Sequence, residues 1–160
     1  MEMSQLIESV QKSRVYCLKH LAGMSDEIFE AQPHPECKSA RQTLLHLVGV
    51  DRSVLEGVKT AVMPDFFAID AAVTAELGEL PRAALEDAIK ASHEELLSYI
   101  QGTYGDKTPD DTIPLWGTPT PLGKAIPYLS SEDYYHAGQL GYMRLAADPA
   151  WDYYTAIYVE

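Results

Sequence analysis

The feature that most constrains the fold of this chain is a stripe of regularly spaced residues near its C-terminus. Its members recur at steps of three and four, which places them on one face of a helix at about 100° per residue. Most are small or apolar, but a carboxylate and an imidazole, Glu132 and His136, lie one turn apart among them. Because a buried carboxylate without a partner is costly, this pair predicts a hydrogen bond or a shared metal ion in the core. The stripe comprises Leu122, Ala125, Leu129, Glu132, His136, Leu140, Met143 and Ala147.

Length and charge narrow the classes of function. A chain of 160 residues is expected to form a single domain over residues 1–160. Its net charge of −12 argues against binding nucleic acid or an anionic membrane, and it fits a protein that acts on small molecules. The sequence has no apolar run of about 18 residues and no basic N-terminal segment followed by an apolar one. We therefore expect a cytoplasmic protein with reduced cysteines.

Helical periodicity predicts three further long helices. The first covers residues 4–22 with Ser4 as N-cap, and the second covers residues 39–60 with Ser39 as N-cap. The third covers residues 81–100. The helix that carries the stripe covers residues 120–147, and Pro127 should kink it or mark its start. Four long amphipathic helices without a run of alternating residues predict an all-α four-helix bundle.

Three remaining segments complete the expected architecture. A short helix is expected over residues 71–77. Residues 102–121, rich in Gly, Pro, Thr and Asp, form a long loop that is either a lid over a site or a plug for one end of the bundle. The tail from residue 149 is too aromatic to be a free end, so it should pack on its own bundle or on a neighbouring subunit.

The second helix adds further polar candidates. The run from Thr43 to Val50 is apolar on nearly every side, so His46 within it should be internal and should need a partner. Asp51 could support a ligand or pair with an arginine. His93 on the third helix is a weaker candidate ligand, as is the pair His34 and Cys37 in a proline-containing loop.

His46, Glu132 and His136 together match a common ligand set for Zn²⁺, Ni²⁺, Fe²⁺ or Mn²⁺. Three protein ligands leave an open coordination position, which is typical of a catalytic site rather than a closed structural one. The alternative is a buried hydrogen bond between Glu132 and His136, with His46 bonded elsewhere.

Three motifs run along the chain: Ser25-Asp-Glu before a proline-containing loop, Leu44-Leu-His-Leu-Val, and Tyr134-Tyr-His-Ala-Gly-Gln-Leu-Gly-Tyr-Met-Arg144. Together they resemble the DinB/YfiT-like family over the whole chain. The resemblance implies a four-helix bundle, often a homodimer, with a metal bound by one histidine of the second helix and two residues four apart in the fourth. These positions correspond to His46, Glu132 and His136. It also implies a metal-dependent hydrolase or thiol S-transferase acting on a small molecule, or a non-catalytic dimeric bundle that binds a metal or small ligand, perhaps in a stress response.

The chain departs from the family pattern at Glu132, where histidine is common. A glutamate can still bind metal and makes the site more anionic, which favours Fe²⁺ or Mn²⁺, or the site has lost its metal. In a working site, a metal-bound water or a substrate thiolate would be the nucleophile. We expect Asp51 and Gln139 to support the ligands, whereas Asp133 points about 100° away from them. Arg144 is expected to contact an anionic substrate or to form a surface ion pair.

Overall fold

The computed structural model describes residues 2–159, so Met1 and the last tail residue, Glu160, lie outside the description. Long helices dominate the chain, as the periodicity predicts, and the all-α four-helix prediction is confirmed. The elements in order are α1 Met3–Lys19, α2 Asp26–Glu30, α3 Ala40–Thr60, α4 Phe66–Leu77, α5 Arg82–Tyr104, β1 Thr112–Leu115, β2 Thr118–Pro121, α6 Leu122–Ala147 and α7 Tyr153–Tyr158.

The bundle is built from α1, α3, α5 and α6, in which α1 packs chiefly on α6 and α3 on α5. One apolar cluster fills the end near the hairpin β1–β2, and a second fills the opposite end. The helix α4 lies against α3, where Gly49 permits close approach: a Cβ atom built there would lie 3.1 Å from Oδ1 of Asp70. None of the described helices is both long and apolar enough to span a membrane.

Local chemistry explains where most helices begin. Ser39 caps α3 as predicted, and its hydroxyl and the Gln42 side chain form a reciprocal capping box. The helix α1 begins at Met3 rather than after Ser4, because Glu2 and Gln5 form a capping box whose N-cap lies two residues before Ser4. The helix α4 begins at Phe66, because the Asp65 carboxylate accepts a hydrogen bond from the Ala68 amide. It is thus longer than the expected helix over residues 71–77.

The predicted loop over residues 102–121 is replaced in part by regular structure. Helix α5 extends to Tyr104, and residues 112–121 form an antiparallel hairpin with Leu115 opposite Thr118. Ile113 and Leu115 are buried in the core, so the hairpin closes one end of the bundle. This arrangement favours the plug over the lid.

The start of α6 and the C-terminal tail resolve two points that the sequence left open. Helix α6 begins at Leu122 and remains helical through Pro127, which therefore does not mark its start. The tail packs on its own bundle: Ile157 of α7 is buried, and its carbonyl oxygen accepts a hydrogen bond of 3.4 Å from Lys19 Nζ.

Candidate metal centre

The three predicted ligands converge where α3 meets α6. One ligand atom each from His46, Glu132 and His136 lies within 4.8 Å of the other two. The imidazole centroids are 4.9 Å apart, and Nε2 of His136 is 3.9 Å from Oε2 of Glu132. Residues separated by 86 or more positions in the chain thus share a volume in which one ion could contact all three.

Burial of the three side chains is graded. His136 is buried on the inner face of α6, whereas Glu132, one turn earlier, keeps 25% of its side chain exposed. His46 is half-buried at the edge of the otherwise buried run of α3. The site therefore lies at the margin of the core, where a small molecule can approach.

A neighbouring amide fixes the orientation of the His136 ring. Nδ1 of His136 lies 2.8 Å from Oε1 of Gln139. Because an amide oxygen can only accept, Nδ1–H is the donor, and the lone pair is left on Nε2, which faces Glu132. Gln139 thus lies where the sequence predicts a supporting residue.

The carboxylate that lies near His46 from α4 belongs to a residue that the sequence does not reveal. Nδ1 of His46 lies 4.0 Å from Oδ1 of Asp70 on α4, and the ring meets Phe66 edge-on at 5.6 Å between centroids. Asp70 falls just before the short helix expected from the sequence. Only the docking of α4 on α3 brings it to the site, so no local pattern could have identified it.

Burial keeps both imidazoles neutral at pH 7. Burial lowers the pKa of His46 to about 4, and the neighbouring His136 and Lys38 add to the effect because a further positive charge beside either group is unfavourable. Burial also lowers the pKa of His136, against the opposing effects of Gln139 and Glu132. Neutral imidazoles hold free lone pairs at pH 7, and with one carboxylate they form a donor set that fits a divalent transition metal.

The cluster lies on the wall of a cavity of about 710 Å³. Leu140, Met143 and Ala146 of α6 supply an apolar side, and Tyr135 and Tyr142 border it. The loop before α3 supplies the opposite rim. His34, Cys37 and Lys38 of that loop face the cavity but lie outside the three-residue cluster.

Asp51 does not lie beside the candidate metal ligands, where it was expected to support them, but in a separate buried network. Its carboxylate accepts hydrogen bonds from Nη1 and Nη2 of Arg14, at 2.9 and 3.0 Å, and lies 3.3 Å from Nδ1 of His93. Burial opposes ionisation, but Arg14 and His93 hold the pKa of the Asp51 carboxyl below its usual value. The arginine partner that the sequence left open is therefore Arg14, and His93 belongs to this network.

Asp133 completes the same network from α6. It points away from the metal cluster, as the helical angle predicts, yet it is fully buried. Its carboxylate accepts hydrogen bonds from Nε of Arg14 at 2.6 Å and from the Ser13 hydroxyl at 2.8 Å. Charged residues at inward positions of three helices were the available signal for this buried ion cluster.

Arg144 is buried and lies outside the cavity, so neither expectation for it, a substrate contact or a surface ion pair, is met. Its guanidinium is buried, donates to the carbonyl oxygens of His20 and Ala22 at 2.9 and 2.7 Å, and stacks 4.1 Å from the Trp151 ring centroid. It satisfies carbonyl oxygens of the turn that follows α1, so it forms neither a substrate contact nor a surface ion pair.

Comparison with known proteins gives one family. A family model described as the DinB superfamily matches residues 10–140, a range that contains all three clustered side chains. No curated protein and no solved structure matches the chain.

Proposed function

The chain belongs to the DinB superfamily, and we propose that it is a metal-dependent enzyme acting on a small molecule. The observation that carries the proposal is the cluster of His46, Glu132 and His136 on a cavity wall, with ligand atoms within 4.8 Å of one another. Three convergent donors on two helices leave room for a further ligand from the cavity side.

The chain's own residues prepare the site. His46 and His136 would hold the metal through neutral imidazoles, and Glu132 would supply the negative charge. Gln139 fixes the His136 tautomer, so its lone pair faces the metal position without rearrangement. A divalent metal supplies Lewis-acid chemistry there, which activates a water molecule for hydrolysis or a thiol for transfer.

The cavity supports a small substrate of mixed polarity. A volume of about 710 Å³ lies within the usual range for small-molecule sites. The apolar side formed by Leu140 and Met143 accommodates a hydrocarbon portion, while Lys38 on the rim offers a positive charge. Hydrolysis and thiol S-transfer are the two reaction classes that this arrangement serves.

One observation favours a non-catalytic alternative, a bundle that binds a metal or small ligand without turnover. Among the described residues that line the cavity, the only carboxylates are Glu132, a ligand candidate, and the exposed Glu36. A dedicated carboxylate base is therefore missing from the lining, and any proton transfer would fall to another group.

Metal binding separates these proposals from a purely structural cluster. The metal-free protein is loaded in turn with Zn²⁺, Ni²⁺, Fe²⁺ and Mn²⁺, and the bound metal per chain is measured after dialysis. We expect one ion per chain in the wild type and at least a roughly 100-fold loss of affinity in His136→Ala. The control His34→Ala removes an imidazole from the same cavity and should retain the metal.

Activity then distinguishes the enzyme from the binding protein. Each loaded form is assayed for hydrolysis of p-nitrophenyl acetate and for transfer of a small thiol to 1-chloro-2,4-dinitrobenzene. Turnover in the wild type that is lost in His136→Ala supports the enzyme. Stoichiometric metal without either activity supports the non-catalytic alternative for these substrate classes, and no metal binding contradicts both.

A further inference from the structure

The bundle has a second cavity, between α1 and α5. Because α1 packs chiefly on α6 and α3 on α5, the seams α3–α6 and α1–α5 are the more loosely packed ones. The metal cluster lies at the first of these seams, and a cavity of about 740 Å³, within the usual range for small-molecule sites, lies at the second. We call it the α1–α5 cavity; its apolar wall comprises Ile7, Val15, Leu18 and Leu97.

The imidazole of His93 lines this cavity and has one unpaired nitrogen. His93 is 5% exposed, and its Nε2 is buried without a hydrogen-bond partner among the described residues. Such an atom calls for an explanation, because burial of an unpaired polar group is costly and most buried polar groups are paired. Nδ1 is directed into the core toward Asp51. Since the two ring nitrogens point in divergent directions, Nε2 faces away from the core, on the side of the cavity.

Asp51 determines which hydrogen-bonding role this nitrogen can take. The two carboxylate oxygens of Asp51 accept hydrogen bonds from Nη1 and Nη2 of Arg14 and from the Ser92 hydroxyl, at 2.9, 3.0 and 3.0 Å. Because an ionised carboxylate can only accept, His93 donates from Nδ1 across the remaining contact of 3.3 Å. A neutral imidazole that donates from Nδ1 carries its lone pair on Nε2. The cavity therefore offers a buried acceptor that the described part of the chain leaves unused.

The charges around the cavity disfavour an anionic ligand. Arg14 also lines the cavity, but its Nε donates to Asp133 and its Nη1 and Nη2 donate to Asp51, so its charge is already paired. One guanidinium against two carboxylates leaves this buried group with a net negative charge. At the rim, the exposed Lys90 and Glu94 carry opposite charges.

We propose that the α1–α5 cavity binds a small, largely apolar molecule with a neutral hydroxyl group, which donates a hydrogen bond to Nε2 of His93. The apolar wall suits a hydrocarbon body: Val15 is 55% exposed and Leu18 is half-buried, so a ligand would remove apolar surface from water. A neutral hydroxyl costs less to bury there than a charged group. The two cavities have different lining residues, so this site does not depend on the metal centre.

Titration with three related probes, followed in the amide spectrum of the ¹⁵N-labelled full chain, tests the site and its polarity. 4-Ethylphenol offers a hydroxyl donor, 4-ethylanisole replaces the hydroxyl by a methyl ether, and 4-ethylbenzoate carries a negative charge. At about pH 8 the phenol keeps its proton. We expect 4-ethylphenol to shift amides of α1 and α5 and to bind at least about 10-fold more tightly than the other two, which cannot donate to Nε2.

The matched variant is His93→Asn. The amide nitrogen of asparagine lies as many bonds from Cα as Nδ1 of histidine does, so it can keep the hydrogen bond to Asp51, whereas no atom replaces Nε2. The variant should bind 4-ethylphenol about 10-fold more weakly than the wild type does, and no more tightly than it binds 4-ethylanisole. A preference that arose only from the shapes of the two probes would persist in this variant.

Two further comparisons locate the site. Val15→Asp puts a charge on the apolar wall and should weaken binding of 4-ethylphenol and 4-ethylanisole alike, whereas Val159→Asp, at a 56% exposed valine outside the lining, should not. His136→Ala alters the metal centre and should leave the affinity for 4-ethylphenol unchanged. The amide spectrum of each variant shows whether the fold is retained.

Several results would overturn the proposal. They are no binding of 4-ethylphenol, equal affinities of the wild type for 4-ethylphenol and 4-ethylanisole, and amide shifts confined to the metal cavity. Tighter binding of 4-ethylbenzoate also overturns it, because an anion needs a donor rather than a lone pair at Nε2 of His93. Each of these results leaves the metal centre untested, so the two proposals fail independently.

Discussion

Single residues decide whether the cluster can bind an ion, and Gln139 is the most informative of them. Its amide oxygen accepts from Nδ1 of His136 and so directs Nε2 toward Glu132. Loss of such a supporting hydrogen bond usually lowers metal affinity by about 10–100-fold. We expect that loss for Gln139→Ala when Zn²⁺ affinity is measured by competition with a chromophoric chelator.

The control is Gln101→Ala, an exposed glutamine on α5 that lines a different cavity. It should bind Zn²⁺ with wild-type affinity. Equal affinities for the two variants would show that Gln139 does not orient a ligand.

The buried ion cluster around Arg14 predicts a stability effect separate from metal binding. Removal of Asp51 leaves Nη1 and Nη2 of Arg14 buried without an acceptor, although Asp133 still pairs with Nε, and we expect a cost of about 3–5 kcal/mol. Asp51→Ala should therefore lower the free energy of unfolding in urea by that amount, while Zn²⁺ affinity changes less than about 3-fold, well below the effect of losing a supporting hydrogen bond. Glu76→Ala, which breaks the exposed pair with Arg52, should cost less than about 1 kcal/mol. A large loss of Zn²⁺ affinity in Asp51→Ala would instead indicate that Asp51 supports the metal ligands.

At the scale of elements, the sequence predicts the four long helices because each combines a strong apolar period with a clear boundary. Ser39 and Gln42 form a recognisable capping box that marks the start of α3. At α1 the true capping box of Glu2 and Gln5 is a weaker sequence signal than Ser4, which is a more typical N-cap residue. The hairpin is harder to predict, since its strands are only four residues long and contain prolines. Its stability depends on burial of Ile113 and Leu115 against the bundle, which is a tertiary effect.

The hairpin turn yields a prediction of its own. Gly117 has φ of 75°, and a Cβ atom there would overlap the Met63 amide nitrogen. Gly117→Ala should therefore destabilise the protein by more than about 1 kcal/mol, because the backbone must shift as well as adopt a strained angle. Differential scanning calorimetry would show a lower Tm.

Gly102→Ala provides the opposite case. Gly102 lies in α5 with no neighbour within 4 Å of a built Cβ among the described residues, so alanine should stabilise the helix by about 0.5–1 kcal/mol. If both variants shift the Tm in the same direction, the account of the hairpin turn is wrong.

At the scale of the whole molecule, three histidines whose pKa is lowered by burial link stability to pH. Burial lowers the pKa of His20, His46 and His136 below the ordinary value of 6.5. The unfolded chain therefore binds protons more readily than the folded one as the pH falls below about 6.5. Stability is fully present above that pH and is lost as the pH falls toward the folded pKa values.

Urea unfolding of the metal-free protein should show this loss between pH 6.5 and 4.5, and His46, with a pKa of about 4, contributes up to about 3 kcal/mol. His46→Asn should flatten the profile, whereas His34→Asn, an exposed position, should not. A wild-type profile that rises toward pH 5 would contradict this assignment.

Only the part of the candidate site that lies on a single helix could be predicted from the sequence pattern. The i, i+4 spacing of Glu132 and His136 is visible in the sequence, because both belong to one helix. His46 joins the site only because α3 packs on α6. The sequence pattern does not show this packing, and it was expected only from the family resemblance. Asp70 has no such signal. Arg14 lies at an inward position of α1, but the sequence does not identify its partners, because they lie on other helices and depend on the assembled bundle.

X-ray absorption spectroscopy of the Zn²⁺-loaded protein tests the central claim most directly, because it counts the atoms bound to the metal. We predict two imidazole nitrogens at about 2.0–2.1 Å and one carboxylate oxygen at about 2.0–2.2 Å, as a site of His46, Glu132 and His136 requires. Cys37 lines the same cavity and offers the competing ligand. A sulfur scatterer at about 2.3 Å, or fewer than two imidazoles, would contradict the proposed centre.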